Sequence, residues 1–119
     1  SVFQWWTASS KLLPELFTQQ ERRHASAEET SMNLALHSNL VDTSKTVDEE
    51  PRKHVLQCEG VTLPFGTADE TVSGVFGKAS TASIDKGKKV LEAVVGELVR
   101  HINLLKKTKT EDLMPKPKV

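Results

Sequence analysis

Apolar residues recur at helical intervals over three stretches of the 119-residue chain and in short strand-like runs over three others. The clearest stretch lies near the C-terminal end. Ile84, Leu91, Leu98 and Leu105 return every seven residues, with Val94, Val95 and Ile102 beside them, which predicts one long amphipathic helix. Thr81 or Ser83 can cap its start, where Asp85 suits the positive end of the helix dipole, and Lys106 and Lys107 suit its negative end. A second helix is expected over residues 30–40, with Met32, Ala35, Leu36 and Leu40 on one face. Leu12, Leu13, Leu16 and Phe17 give residues 11–17 a helical spacing that holds Pro14 in the first turn, where its missing N–H costs nothing. Residues 2–6, 54–58 and 61–65 read as strands, the last two parted by Gly60.

The intervening segments are polar. Residues 18–28, 41–52 and 66–80 read as loops, with Gly66, Gly74 and Gly77 freeing the backbone in the last of them. Gly74-Val-Phe-Gly77 lacks the Lys-Ser/Thr pair of a phosphate-binding loop and reads as a turn. Pro115 and Pro117 exclude regular structure near the end, so residues 108–119 are expected to be a flexible Lys/Pro-rich tail behind a folded unit of residues 1–107. No internal repeat is visible.

Strands alternating with helices imply a layered α/β structure rather than a helical bundle. Two or three strands fall short of the ~4–6 of an ordinary sheet, so further strands are expected from another segment or another chain. Composition sharpens that expectation. Hydrophobic residues make up 37% of the chain, aromatics 5%, and tyrosine is absent, which leaves a thin core. Sixteen basic residues balance sixteen acidic ones, arguing against a nucleic-acid or anionic-membrane surface spread over the molecule. No apolar run approaches the ~20 residues that cross a bilayer. Cys58 is the single cysteine, so no intrachain disulfide forms; it reads as a packed thiol in a cytoplasmic protein. The chain starts at Ser1 without a basic, then apolar leader, which is expected of a processed product or a piece of a longer protein.

The chemistry lies in residues 23–36. His24 sits in a polar loop, and Glu29 falls near the start of the following helix, whose dipole favours the carboxylate. Such a pair suits general acid/base work or two ligands of a metal. The plainer alternative is that Glu28 and Glu29 cap the helix and His24 lies on the surface. His37, His54 and His101 match no metal-ligand spacing.

His24-Ala-Ser-Ala-Glu-Glu29-Thr30-Ser31 resembles the His-Ala-Gly-Glu-x-Glu-Thr-Ser segment of the creatininase family of amidohydrolases. Asn39-Leu-Val-Asp42 is similar to the family's continuation after that helix. Ser73-Gly-Val-Phe-Gly77 resembles its Gly-Val-x-Gly loop, and Thr81-Ala-Ser-Ile-Asp-Lys-Gly87 resembles its Ala-Thr-x-Glu-Lys-Gly helix start. Residues 2–6 are similar to the strand before the loop. The matches run in order from Val2 to about Leu105.

The resemblance implies the C-terminal part of a three-layer α/β/α fold, incomplete in this chain alone. It implies a hydrolase of cyclic amides or related C–N bonds that uses a divalent metal (zinc, manganese or iron). His24 would then move the proton to the leaving nitrogen, and Glu29 would lie on or beside the metal. The family's Glu-x-His and Asn-Gly-His ligand segments do not occur here. Most ligands are thus expected from the N-terminal half of the same fold or a partner chain, in an oligomer. Trp5, Trp6 and Glu21 are the candidate residues for binding a small-molecule substrate. The family's name-giving enzyme carries a Trp-Asp pair shortly before the His, and Gln20 and Glu21 stand roughly there. Ser26 replaces the usual Gly, and Ala27 a frequent second acid, so a creatinine-like substrate is not implied. The same departures suit a rival expectation, a non-catalytic subunit that keeps the fold.

Overall fold

The computed structural model describes residues 2–53 and 64–113. Its dominant element is the predicted long helix, Ile84–Lys107, here α5. Ser83 caps it, the hydroxyl accepting from the Lys86 N–H at 3.2 Å. Before it come α1 (Trp5–Ala8), α2 (Leu13–Leu16), α3 (Ala27–His37) and the one-turn α4 (Thr67–Glu70). Asp48–Glu49 and Gly77–Lys78 form the strands β1 and β2, an antiparallel pair with Asp48 opposite Lys78. Helix and sheet are thus mixed, as expected of part of an α/β fold.

Each short element has a local cause. Pro14 lies in the first turn of α2, as its fixed φ favours. A 3-10 turn at Gln19–Glu21 opens with Glu21 accepting the Thr18 N–H at 2.7 Å. Residues 2–6 are not a strand: Val2 to Gln4 run without a ladder partner among the described residues and Trp5 begins α1. The Ala8 and Ser9 N–H groups bond the Gln4 and Trp5 carbonyls, and the Ser9 hydroxyl also donates to Trp5 at 2.8 Å, so local bonds outweigh the β preference of the tryptophans. The strand expected over 54–58, and all but Pro64 and Phe65 of the one expected over 61–65, lie outside the described residues; Pro64 and Phe65 are exposed and not in a strand.

α3 lies across α5, and their crossing fixes the core. Leu13, Phe17, Ala27, Val90 and Val94 form the buried cluster, with Trp5, Leu16, Met32 and Ala82 against it. The helices meet at Gly87, where an added Cβ would fall 1.9 Å from the Ser31 carbonyl oxygen. Ser31 is fully buried, and its hydroxyl accepts from the Ser83 N–H at 3.0 Å. This contact corrects both expected helix faces. On α3 the buried residues are Ala27, Glu28, Ser31 and Leu34, while Leu36 and Leu40 are exposed. On α5 the buried residues are Gly87, Val90 and Val94; Ile84, Leu98 and Leu105 of the seven-residue stripe stay exposed. Small residues win the interface because they let the two backbones approach. The larger apolar stripe is left uncovered.

The radius of gyration is 18.5 Å, against roughly 13.5 Å for a compact domain of this length. No helix among the described residues is long and apolar enough to cross a membrane. After α5 a 3-10 turn at Thr110–Asp112 carries only exposed residues.

Candidate functional site

The polar loop before α3 is tightly built. Ser26 is fully buried, its Oγ lying 2.6 Å from the Arg23 carbonyl and 2.8 Å from that of Glu21 while accepting the Arg23 N–H at 2.9 Å. A serine therefore stands where the motif usually has glycine because its hydroxyl ties the turn together. The strained residue is its neighbour. Ala25 has φ +53°, a left-handed conformation that a non-glycine residue adopts only where its surroundings hold it. Glu29 supplies the hold: its Oε2 accepts the Ala25 N–H at 2.7 Å. Its other oxygen has no hydrogen-bond partner among the described residues.

His24 is fixed from the opposite side. Its carbonyl accepts the Phe76 N–H at 2.9 Å, and its exposed imidazole meets the Phe76 ring edge-on, 6.0 Å between centroids. The loop carrying Phe76 is itself clamped by β1. Glu49 accepts from the Val72 and Ser73 N–H groups and the Ser73 hydroxyl, and Asp48 from the Ala79 and Ser80 N–H groups and the Ser80 hydroxyl. Those hydroxyl bonds hold both carboxyls below their usual range. Residues 24–29 and 73–77, separate in sequence, are thus one structure.

Beside this loop is a cavity of about 300 Å³, lined by Trp5, Trp6, Ser10, Leu13, Arg22, Arg23, Glu28 and Glu29. Trp5 is half-buried against the core and Trp6 half-exposed, their rings edge-to-face with centroids 5.9 Å apart. Three of the candidate residues, Trp5, Trp6 and Glu29, therefore share one cavity. His24 does not line it. A larger cleft, about 640 Å³ between the N-terminal segment and α5, contains none of the candidates, although half-buried His101 lines it.

Glu21 has a different setting. It is buried, with its carboxylate accepting from the Thr18 N–H, the Thr81 hydroxyl and the Lys86 ammonium at 3.3 Å. Burial alone would raise its pKa, but bonds from Thr81, Thr18 and Lys86 outweigh it and lower the carboxyl to about 2. Lys86 also lies 5.0 Å from the centre of the Phe17 ring. Glu21 thereby ties the 3-10 turn to the start of α5.

Glu28, read from sequence only as a possible helix cap, is 6% exposed and lines the cavity. Burial raises its pKa, the Glu29 charge adds to the rise, and Arg22 opposes it. Two adjacent glutamates at a helix start look alike in sequence. The direction each side chain takes is decided by tertiary packing.

Among the described residues, no group of three His, Cys, Asp or Glu side chains can hold a metal ion. Glu29 offers one unbonded oxygen, so a metal centre would need ligands from elsewhere.

Solved structures identify the architecture as that of a creatininase. The chain aligns with a crystal structure of creatinine amidohydrolase at a TM-score of 0.63 and 28% identity, covering 89% of this chain and 42% of that one. Against a manganese creatininase the values are 0.59 and 30%, covering 83% and 40%, and a Zn-Zn type creatininase variant gives the same figures. The chain belongs to the creatininase family, whose model, described as creatinine amidohydrolase, matches residues 1–102. It is also 34% identical over 85 residues to a creatinine amidohydrolase of Pseudomonas putida, covering 71% of this chain and 32% of that protein. It spans about a third of that curated relative's length and about two fifths of these solved chains.

Proposed function

We propose that this chain is the C-terminal portion of a cytoplasmic metal-dependent amidohydrolase acting on a cyclic amide or a related C–N bond. Its contribution is the active-site loop of His24 and Glu29. The observation that carries this reading is the double anchoring of that loop: Phe76 holds the His24 carbonyl while Glu29 holds the Ala25 N–H. An imidazole and a carboxylate are thereby kept on one strained turn, the preorganisation that proton transfer at a defined atom requires.

In this reading the His24 imidazole gives a proton to the leaving nitrogen, and Trp5 and Trp6 wall the small-molecule substrate. Glu21 supports the loop from behind, through its carbonyl near Ser26 Oγ and its carboxylate on Lys86. A divalent metal (zinc, manganese or iron) is the proposed cofactor, and when bound it supplies Lewis-acid polarisation. The described residues alone do not form its site. Glu29 is this chain's proposed share, and the N-terminal half of the same fold or a partner chain supplies the other ligands in an oligomer.

The test is hydrolysis of a cyclic-amide panel by the complete assembly, with metal content measured alongside. His24→Ala should lower turnover by about 10²–10⁴ with metal unchanged. Full turnover in that variant, or no hydrolysis by the metal-loaded assembly, would end the proposal. The rival reading is a non-catalytic binding or structural subunit. It draws on His24 lying outside the cavity that Trp5 and Trp6 line, and it expects ligand binding without turnover.

A further inference from the structure

No residue from 41 to 53 is buried, and Val47 is exposed, so no apolar anchor holds this stretch to the body of the chain. Consecutive carboxylates hold it instead, each on a different segment. Asp48 accepts from the Ala79 and Ser80 N–H groups, both at 2.8 Å. Glu49 accepts from the Val72 and Ser73 N–H groups at 2.7 and 2.8 Å. Glu50 pairs with the Arg23 guanidinium at 2.9 Å, beside His24.

The loop that this strap grips is no better anchored. Residues 72–76 contain no buried residue, although Thr71 and Gly77 on either side are buried. The loop's own turn is closed by the Ser73 hydroxyl, which accepts from the Val75 N–H at 3.2 Å and donates to Glu49. The place of Phe76, and with it the bond from its N–H to the His24 carbonyl, therefore depends on the strap.

Exposed polar bonds are individually weak. Here they share one backbone. Asp48 and Glu49 are the whole of β1 and pair with Lys78 and Gly77, so lifting the strand at either residue draws the other from its partners. A segment held by exposed hydrogen bonds, with no buried apolar contact, belongs to the part of a fold that opens most readily.

We propose that the Asp48–Glu49 strand is a latch that opens and closes as one unit, and that its closed state fixes Phe76 against His24. The inference rests on the functional reading above only in the importance it gives His24. Its test reads amide exchange and not hydrolysis, so either can fail alone.

Hydrogen exchange followed by mass spectrometry, on the full chain in its assembled state, reads each segment separately. Asp48→Ala removes side-chain bonds to residues 79 and 80 only, and Glu49→Ala removes bonds to residues 72 and 73 only. A latch speeds exchange over both 72–76 and 79–80 in either variant, by at least about fivefold and to within about threefold of each other. Independent clamps would speed only the segment whose bonds were removed, and that result would overturn the proposal. Asp42→Ala is the control, because that carboxylate bonds only Ser44 and Lys45 in its own turn. It should leave 72–76 at the parent rate, and a rise there equal to that in Asp48→Ala would also overturn the proposal. If Asp48→Ala speeds exchange throughout α5, the whole chain has loosened and Ser80→Ala decides. That variant removes a single hydroxyl bond to Asp48, and an unchanged rate over 72–76 in it overturns the proposal.

Discussion

The Phe76 N–H donates to the His24 carbonyl at 2.9 Å, and the two rings meet edge-to-face. A glycine-flanked loop and a histidine about 50 residues before it are thereby fixed as a pair. The backbone bond needs no particular side chain at position 76, so it separates two kinds of loss. Phe76→Ala keeps the bond and removes the ring contact. It should therefore cost about 0.5–1.5 kcal/mol of stability, the usual worth of such a ring pair, beyond the loss of the half-buried ring's apolar area. Any larger fall in the turnover of the complete assembly than in its stability would show that the ring orients the His24 imidazole.

Glu29 makes a forecast of its own. Its Oε2 holds Ala25 in the left-handed region, so Glu29→Ala should lose about 1 kcal/mol, as a removed helix cap does. Ala25→Gly in the same background should recover part of that loss, because glycine adopts this φ without strain. In the complete assembly, a role at the metal should add a loss of roughly 10–100-fold in metal affinity or activity. Calorimetry together with metal analysis separates the two. Unchanged metal and rate beside a lowered melting temperature would leave Glu29 a cap alone.

The helices were more legible in the sequence than the faces they bury, whereas β1 and β2 both fall in segments that read as loops. Ser83, Asp85 and the closing lysines mark the ends of α5 because capping and dipole chemistry are local. The buried side of α5 is decided by Gly87 meeting Ser31, a contact between distant residues that hydrophobic spacing does not report. The same contact turned α3, where Ala27 and Ser31 displaced Leu36 and Leu40 from the interface. Within the site, the motif drew attention to His24 and Glu29, which the structure places on either side of the strained Ala25 at the start of α3. It did not reveal Glu28, because a glutamate at a helix start has an ordinary electrostatic explanation until its burial is seen.

Gly87 offers a prediction whose sign is informative. In an undocked helix, Gly→Ala stabilises by about 0.8–1 kcal/mol. Here the new Cβ would meet the Ser31 backbone at 1.9 Å and the Ala35 side chain at 2.9 Å. Backbone cannot step aside, so Gly87→Ala should destabilise by about 1–3 kcal/mol, the usual cost of overpacking. Gly96→Ala, where a Cβ meets nothing within 4 Å, should stabilise and is the control. Stabilisation by both would mean that α3 and α5 do not pack in solution as described.

Acid should loosen the join between the Gln19–Glu21 turn and α5. A carboxyl whose folded pKa is lowered binds its proton more readily when unfolded, so its stabilising share is full above the unfolded value and shrinks as pH falls. For Glu21 the window runs from about 4.5 down to about 2. Glu21→Gln should lower stability at neutral pH by roughly 1–3 kcal/mol, the cost of breaking a buried set of charged hydrogen bonds. The difference between parent and variant should narrow as pH drops through that window. Urea melts at a series of pH values measure it, and a gap that does not depend on pH would remove Glu21 from the account.

The C-terminal segment is proposed to be dispensable. The residues of the Thr110–Asp112 turn are exposed, and the bond from the Thr108 hydroxyl to the Leu104 carbonyl is local. Truncation after Lys107 should change stability by no more than about 0.5 kcal/mol, as surface changes usually do. A larger loss, seen in thermal melts of the two chains, would mean that the segment docks.

Autonomy is the prediction on which the rest of the picture leans. Along α5, Ile84, Val95, Leu98, Val99, Ile102, Leu104 and Leu105 are each at least 36% exposed, while among the described residues the buried cluster holds five. An apolar surface of that extent is unusual on a stable monomer. The extended radius of gyration agrees, since a chain of this length that buried its own stripe would be more compact. The chain alone should therefore either self-associate or melt without cooperativity. Size-exclusion chromatography with light scattering, followed by circular dichroism on the monomer fraction, decides between these outcomes. A pure monomer of 119 residues with a single cooperative transition would show the exposed stripe of α5 to be compatible with independent folding. It would also remove the need for a second segment or chain to cover that helix.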